Sequence, residues 1–190
     1  MGKLFKFLFY PALGFLLFGG IWLVSQRFKA PEEQLREIYE QHFKPCLNYW
    51  TSDPAYSDSS ELSQMAMKYF ERGEYSLAIE GFQRFEPRTE DEGFYNFYLG
   101  IAYLKTGFDN LAISHLEKSS RAFKDFNNVH LAKWYLSLAY LKAGREKETM
   151  PVLHEIVSLN AKQKTQAQQV IQEIDQAKNP FKGFLHLLGF

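Results

Sequence analysis

The chain has 190 residues, 46% hydrophobic and 17% aromatic, with 22 basic side chains against 22 acidic ones and a formal net charge of zero. A protein that neutralises duplex phosphates needs a basic excess, and a disordered acidic tail shows the reverse, so neither class fits a chain with this balance and an ordinary charged fraction of 23%. The single cysteine, Cys46, excludes an internal disulfide framework.

The first 29 residues differ from the rest. Phe7 to Val24 is eighteen residues without a charge, which as a helix at ~1.5 Å per residue spans roughly 27 Å, close to a bilayer's hydrocarbon core. Lys3 and Lys6 precede it, Arg27 and Lys29 follow it, and Tyr10 and Trp22 suit the interfacial belts. Pro11, Gly14, Gly19 and Gly20 are better tolerated within a membrane than in a water-exposed helix. A cleaved signal peptide needs small residues in an A-x-A-like pattern, and Ser25-Gln26-Arg27-Phe28-Lys29-Ala30 lacks one. The expectation is therefore a single-pass anchor over residues 1–29, spanning about 7–24. Basic residues balance across it, and the short stretch before it favours an internal amino terminus with the remainder periplasmic or otherwise extracytoplasmic. The four basic groups have no acidic counterpart before residue 30, so residues 30–190 carry a net charge of −4, which strengthens the exclusion of nucleic acid.

Residues 30–58 read as a juxtamembrane helix and a linker. Pro31 is placed for a first helical turn, and Leu35, Ile38, Tyr39 and His42 share one stripe of a helix from about Pro31 to His42. Residues 43–60, with two prolines and four serines, have no periodicity, and Tyr49 and Trp50 look exposed there.

Beyond the linker a period appears. Gly73, Gly107 and Gly144 each end an apolar helical stretch, at spacings of 34 and 37. Leu99-Gly100-Ile101-Ala102-Tyr103 and Ala112-Ile113-Ser114-His115-Leu116 surround Gly107. Met65 to Tyr69 with Ala78 to Phe82, and Leu136 to Tyr140 with Thr149 to Leu153, are their counterparts around Gly73 and Gly144. Small residues (Ala66, Gly100, Ser137 and Ala78, Ala112, Thr149) let paired helices cross closely, tyrosines fill the space between, and the glycines supply a left-handed helix end. The pattern resembles the tetratricopeptide repeat, W-x2-L-G-x2-Y followed by A-x3-F. It departs from it where Leu62, Asn96 and Lys133 stand for the opening Trp, with Phe97 and Trp134 one place later, and where the closing Pro is missing.

The order of anchor, short helix, linker and repeats resembles that of bacterial membrane-anchored tetratricopeptide-repeat proteins, and the expectation is an all-α chain: the transmembrane helix read above, then, as the repeat resemblance implies, a right-handed α-solenoid of three helix pairs plus a carboxy-terminal capping helix. The repeat domain covers 59–177, with repeats at about 59–92, 93–126 and 130–160 and the capping helix at 161–177, where Ala167, Val170, Ile171 and Ile174 recur at helical spacing. Asp58…Glu61 and Thr89…Glu92 have capping-box spacing, Asn127 or Asn128 is placed to cap the third repeat, and Asn160…Gln163 to open the last helix. Pro151 falls in the early turns of its helix. The three extra residues before the third repeat are expected to lengthen the helix containing Ser119 to Phe126.

No catalytic constellation assembles. His42, His115, His130, His154 and His186 are scattered, and Pro45 separates His42 from Cys46. Nucleotide-binding and nucleophile-elbow motifs are missing, and Glu90-Asp91-Glu92 reads as helix-opening carboxylates. No enzymatic role, cofactor or metal is expected.

In a tetratricopeptide array the first helix of each repeat lines a concave groove. The corresponding face here carries Met67 and Phe70, then Phe94, Phe97, Ile101 and Leu104, then Leu131, Trp134, Leu138 and Leu141. Only Glu71, Lys105 and Lys142 at its rim are charged, which argues against a clamp for a peptide's terminal carboxylate. A groove this apolar needs a filler. The candidates are the helix bearing Leu35, Ile38 and Tyr39, the apolar tail at 178–190, or a partner's amphipathic helix or extended peptide. The tail has three open roles: folding back on the repeats, entering the membrane interface, or docking on another subunit, so self-association stays open. The leading functional expectation is a membrane-anchored adaptor or scaffold that binds a protein partner in the groove. The alternative is a regulatory or signalling membrane protein that senses a partner and transmits through the anchor.

Overall fold

A computed structural model describes residues 30–50 and 61–178. The anchor, residues 51–60 of the linker and most of the apolar tail lie outside the described residues. Among the described residues there are eight α-helices and no strand: α1 (Pro31–His42), α2 (Glu61–Glu71), α3 (Tyr75–Gln83), α4 (Glu92–Thr106), α5 (Asp109–Ala122), α6 (Phe126–Lys142), α7 (Glu146–Ser158) and α8 (Lys164–Lys178). No helix among them is long and apolar enough to cross a membrane.

The periodic glycines set the turns. Gly73, Gly107 and Gly144 have φ of +75°, +86° and +70°, the region where a side chain is strained. The amide after each glycine reaches back to the carbonyl of the repeat tyrosine: Glu74 to Tyr69 at 2.9 Å, Phe108 to Tyr103 at 2.9 Å, and Arg145 to Tyr140 at 2.8 Å. The same backbone closure therefore ends α2, α4 and α6 and reverses the chain into α3, α5 and α7.

Some expected helix starts fall elsewhere. Thr89 caps nothing visible: α4 follows Asp91, whose side chain makes no cap bond. Asp125, rather than Asn127 or Asn128, caps α6 by accepting the Asn128 amide at 3.0 Å. The extra residues of the third repeat accordingly lengthen the start of α6, because α5 stops at Ala122 where Phe123 turns extended. Asn160, with φ +54°, turns the chain after α7, and α8 opens only at Lys164.

From α2 to α8 each helix packs on the next, so the core is a row of helix pairs. Small residues set the approach within pairs. A Cβ on Gly81 of α3 would stand 2.9 Å from Ala66 Cβ of α2, and one on Gly100 of α4 would stand 2.8 Å from Leu116 Cγ and 3.3 Å from the Ala112 carbonyl of α5. Ser137 and Thr149, the equivalent pair of α6 and α7, are fully buried. Helix α1 breaks the sequential order: it lies against α6 and α8, more than ninety residues later in the chain.

Candidate peptide groove

Residues 35–50 lie across the helix pairs of the same chain, the helical part against α6 and α8 and the part from Phe43 on against a face shared by α4 and α6. The helical part of that segment is held by its apolar stripe. Leu35, Ile38 and Tyr39 are buried against α6 and α8. His42 stands edge-on to Trp134 and bonds Glu173 of α8 at 2.9 Å. The Lys142 ammonium lies over the Tyr39 ring, 5.5 Å from its centroid, and pairs with Asp109 at 3.0 Å.

The helix ends where Phe43 becomes extended (φ −72°, ψ 122°), two residues before Pro45. From there the chain alternates like a strand. Cys46, Asn48 and Trp50 turn inward while Leu47 and Tyr49 are exposed, 71% and 46%. An extended stretch bonded to no neighbouring strand leaves its amides and carbonyls to side chains. Two tyrosines of the groove supply partners. The Tyr135 hydroxyl donates to the Lys44 carbonyl at 2.7 Å. That of Tyr98 donates to the Leu47 carbonyl at 2.9 Å and accepts the Tyr49 amide at 2.6 Å. Burial raises both phenols far above their ordinary value, so they stay neutral donors. Lys105 sits over the Phe43 ring at 4.9 Å, and Asn48 donates to Glu71 at 2.7 Å.

Trp50, expected to be exposed in a linker, is fully buried. Its ring stacks with Phe82, Phe94 and Tyr98, at centroid distances of 6.2, 6.4 and 6.4 Å, and tilts against Phe85 at 5.9 Å. Its indole N–H donates to Asp91 Oδ1 at 3.1 Å, and Arg88 holds the other carboxylate oxygen at 2.8 Å. Asp91 thus serves the groove rather than a helix dipole alone. Beside Tyr135, burial pushes the Cys46 thiol up to about 12.

The residues assigned to the groove from sequence divide in two. Met67, Phe70, Phe94, Phe97, Ile101, Leu104, Trp134, Leu138 and Leu141 are all buried, and Leu131 is half-buried. Ring contacts with the segment come from Phe94 and Trp134, whereas Phe97 packs edge-on to Tyr98 and Tyr135 within the repeats. The hydrogen-bonding residues, Tyr98 and Tyr135, were missed. A signal for them exists: Tyr98 and Tyr135 are 37 apart, as are Lys105 and Lys142 and the two glycines behind them, so successive repeats offer the same Tyr and Lys seven residues apart on one helix face.

A second concavity of about 580 Å³ opens between α4 and α5, lined in part by Glu92, Asn96, His115, Lys118 and Arg121. There His115 Nδ1 lies 2.9 Å from Asn96 Oδ1, its ring stacks on Tyr103, and burial with the nearby Lys118 lowers its pKa to about 4. Among the described residues no three His, Cys, Asp or Glu side chains are grouped to hold a metal ion.

The chain matches no family model, no curated protein and no solved structure.

Proposed function

We propose that this chain is a membrane-anchored, tetratricopeptide-like interaction module, whose helix pairs form a short solenoid and whose groove takes an extended or helical segment of a partner protein. The observation that carries the reading is the way the groove holds residues 43–50. Tyr98 and Tyr135 bond main-chain carbonyls and an amide, which every peptide possesses. A foreign segment in the same conformation meets the same donors once the resident one leaves. Tethering to a membrane raises the effective concentration of such a module near membrane partners, so modest groove affinity suffices.

One observation also supports the regulatory alternative. The groove's occupant, from Leu35 on, directly follows the expected anchor in the chain, so displacement of the occupant acts on the segment leaving the membrane.

The test uses the full chain in native membranes with Trp50→Leu, which loosens the resident segment and leaves the Tyr98 and Tyr135 hydroxyls in place for a partner. Losing the indole's bond to Asp91 and part of its packing weakens the resident segment by about 2 kcal/mol, roughly a 30-fold rise in the open population. Photo-crosslinks from the groove to one reproducible protein should increase in step. Crosslinks that remain confined to the chain itself in both forms would retire the proposal.

A further inference from the structure

We infer that the partner segment recognised by this groove runs extended and presents a tryptophan to the box that Trp50 now fills, in competition with Trp50. The inference rests on the groove reading above and names the partner's chemistry.

The box is built by the repeats alone. Phe82 and Phe85 each contact Tyr95, and Phe94 meets Phe123 edge-on at 4.9 Å, so its walls are braced without Trp50. All of them belong to α3, α4 and the loops that follow α3 and α5. Its floor is polar. The Asp91 side chain is 1% exposed and makes no helix-cap bond, and its carboxylate has Arg88 on one oxygen and the indole N–H on the other. A plug needed only for packing is served by any large apolar ring, and burying a carboxylate to meet it is costly. A carboxylate can only accept, so it favours an aromatic side chain that donates, and of these the indole has the widest face to stack with Phe82, Phe94 and Tyr98 together. Phenylalanine fills the same walls and leaves Asp91 Oδ1 without its partner.

The chain that delivers the indole is recognised mainly through its backbone, at Lys44, Leu47 and Tyr49. Leu47 and Tyr49 point away from the groove, so a partner's residues at those places are free to vary. The side chains recognised most directly are an aromatic ring under Lys105, where Phe43 lies, and a tryptophan seven residues later, with the amide of Asn48 donating to Glu71 between them.

The probe is an end-capped peptide of residues 43–50 with Cys46→Ser, fluorescently labelled, and a second form in which its tryptophan is phenylalanine. They are titrated against the full-length chain in lipid nanodiscs, as wild type and as Trp50→Leu, which keeps apolar bulk in the box. The tryptophan peptide should bind Trp50→Leu roughly 10- to 100-fold more tightly than the phenylalanine peptide, and should bind the wild type more weakly than it binds the variant. If Trp50→Leu loses its helical circular dichroism, Trp50→Met, whose longer unbranched side chain fills more of the box, replaces it with the same expected preference. Equal binding of the two peptides overturns the tryptophan assignment and leaves the groove reading standing, while binding of neither overturns both. A wild-type chain that instead pairs with its own copy through Trp50, seen as a dimer that Trp50→Leu abolishes, assigns the box to a second copy and also overturns the inference.

Discussion

The two halves of the segment in the groove are held by opposite means. In α1 the backbone satisfies itself, so the repeats contact only a stripe of side chains, Leu35, Ile38 and Tyr39, at helical spacing. In residues 43–50 the backbone is open, and the repeats answer it with hydroxyls, finishing on one deeply placed ring. Helical recognition here depends on apolar area. Extended recognition depends on a few directed bonds plus an anchor. The segment therefore has two separable modes of attachment, and each can be broken without the other.

The largest break is expected at Trp50. Trp50→Ala should cost about 3–5 kcal/mol and free residues 43–50 while α1 stays docked, which residue-resolved hydrogen exchange reads directly. Ile38→Ala makes the converse cut at about 2–4 kcal/mol: exchange should rise through α1 with the Trp50 indole signal unchanged. Simultaneous release of both halves by either variant would show that the segment is one cooperative unit.

A titration in the second concavity serves as a reference, because His115 bonds Asn96 and stacks on Tyr103 rather than on either half. The His115 pKa is lowered to about 4 in the folded chain against an unfolded value of 6.5. Between those values the unfolded state binds more protons, so stability is lost as pH falls from about 6.5 toward 4. With its partial exposure allowed for, the loss is about 1–2 kcal/mol, and His115→Gln should flatten that limb of the urea-midpoint profile. Single replacements of Tyr98 or Tyr135 by Phe come next, about 1 kcal/mol each, with Tyr98 the larger because it makes two main-chain bonds. The smallest effect belongs to His42→Gln, about 0.5 kcal/mol or less, since its partner Glu173 is partly solvated.

The legible parts of the sequence were those where local backbone geometry dictates residue type. Left-handed helix ends demand glycine, so Gly73, Gly107 and Gly144 announced three turns, and close helix crossings demand small residues, so Ala66 and Gly100 marked paired helices. The stripe of α1 was legible for the same reason. Residues 43–50 were not, because nothing in their own spacing records the Tyr98 and Tyr135 hydroxyls that order them. Proline and polar residues beside Trp50 resembled a solvated linker, while its partners lie more than thirty residues away. The choice among fillers of the groove was likewise open in the sequence, since an apolar face does not name what covers it. Phe97, chosen as a binding residue, braces two tyrosines and lies one position from Tyr98, which touches the segment.

The central claim is that residues 43–50 occupy the groove as a resident, displaceable ligand, and Cys46 reports on it as the chain's single thiol. Its thiol is pushed up to about 12 by burial beside Tyr135, so at pH 8 it reacts through a small thiolate fraction. In the full-length chain, maleimide or iodoacetamide labelling at pH 8 should run at least ~100-fold slower than for the free 43–50 peptide, and should accelerate at least ~10-fold in Tyr98→Phe/Tyr135→Phe without loss of helicity. Labelling of the wild-type chain at the free-peptide rate would contradict the account.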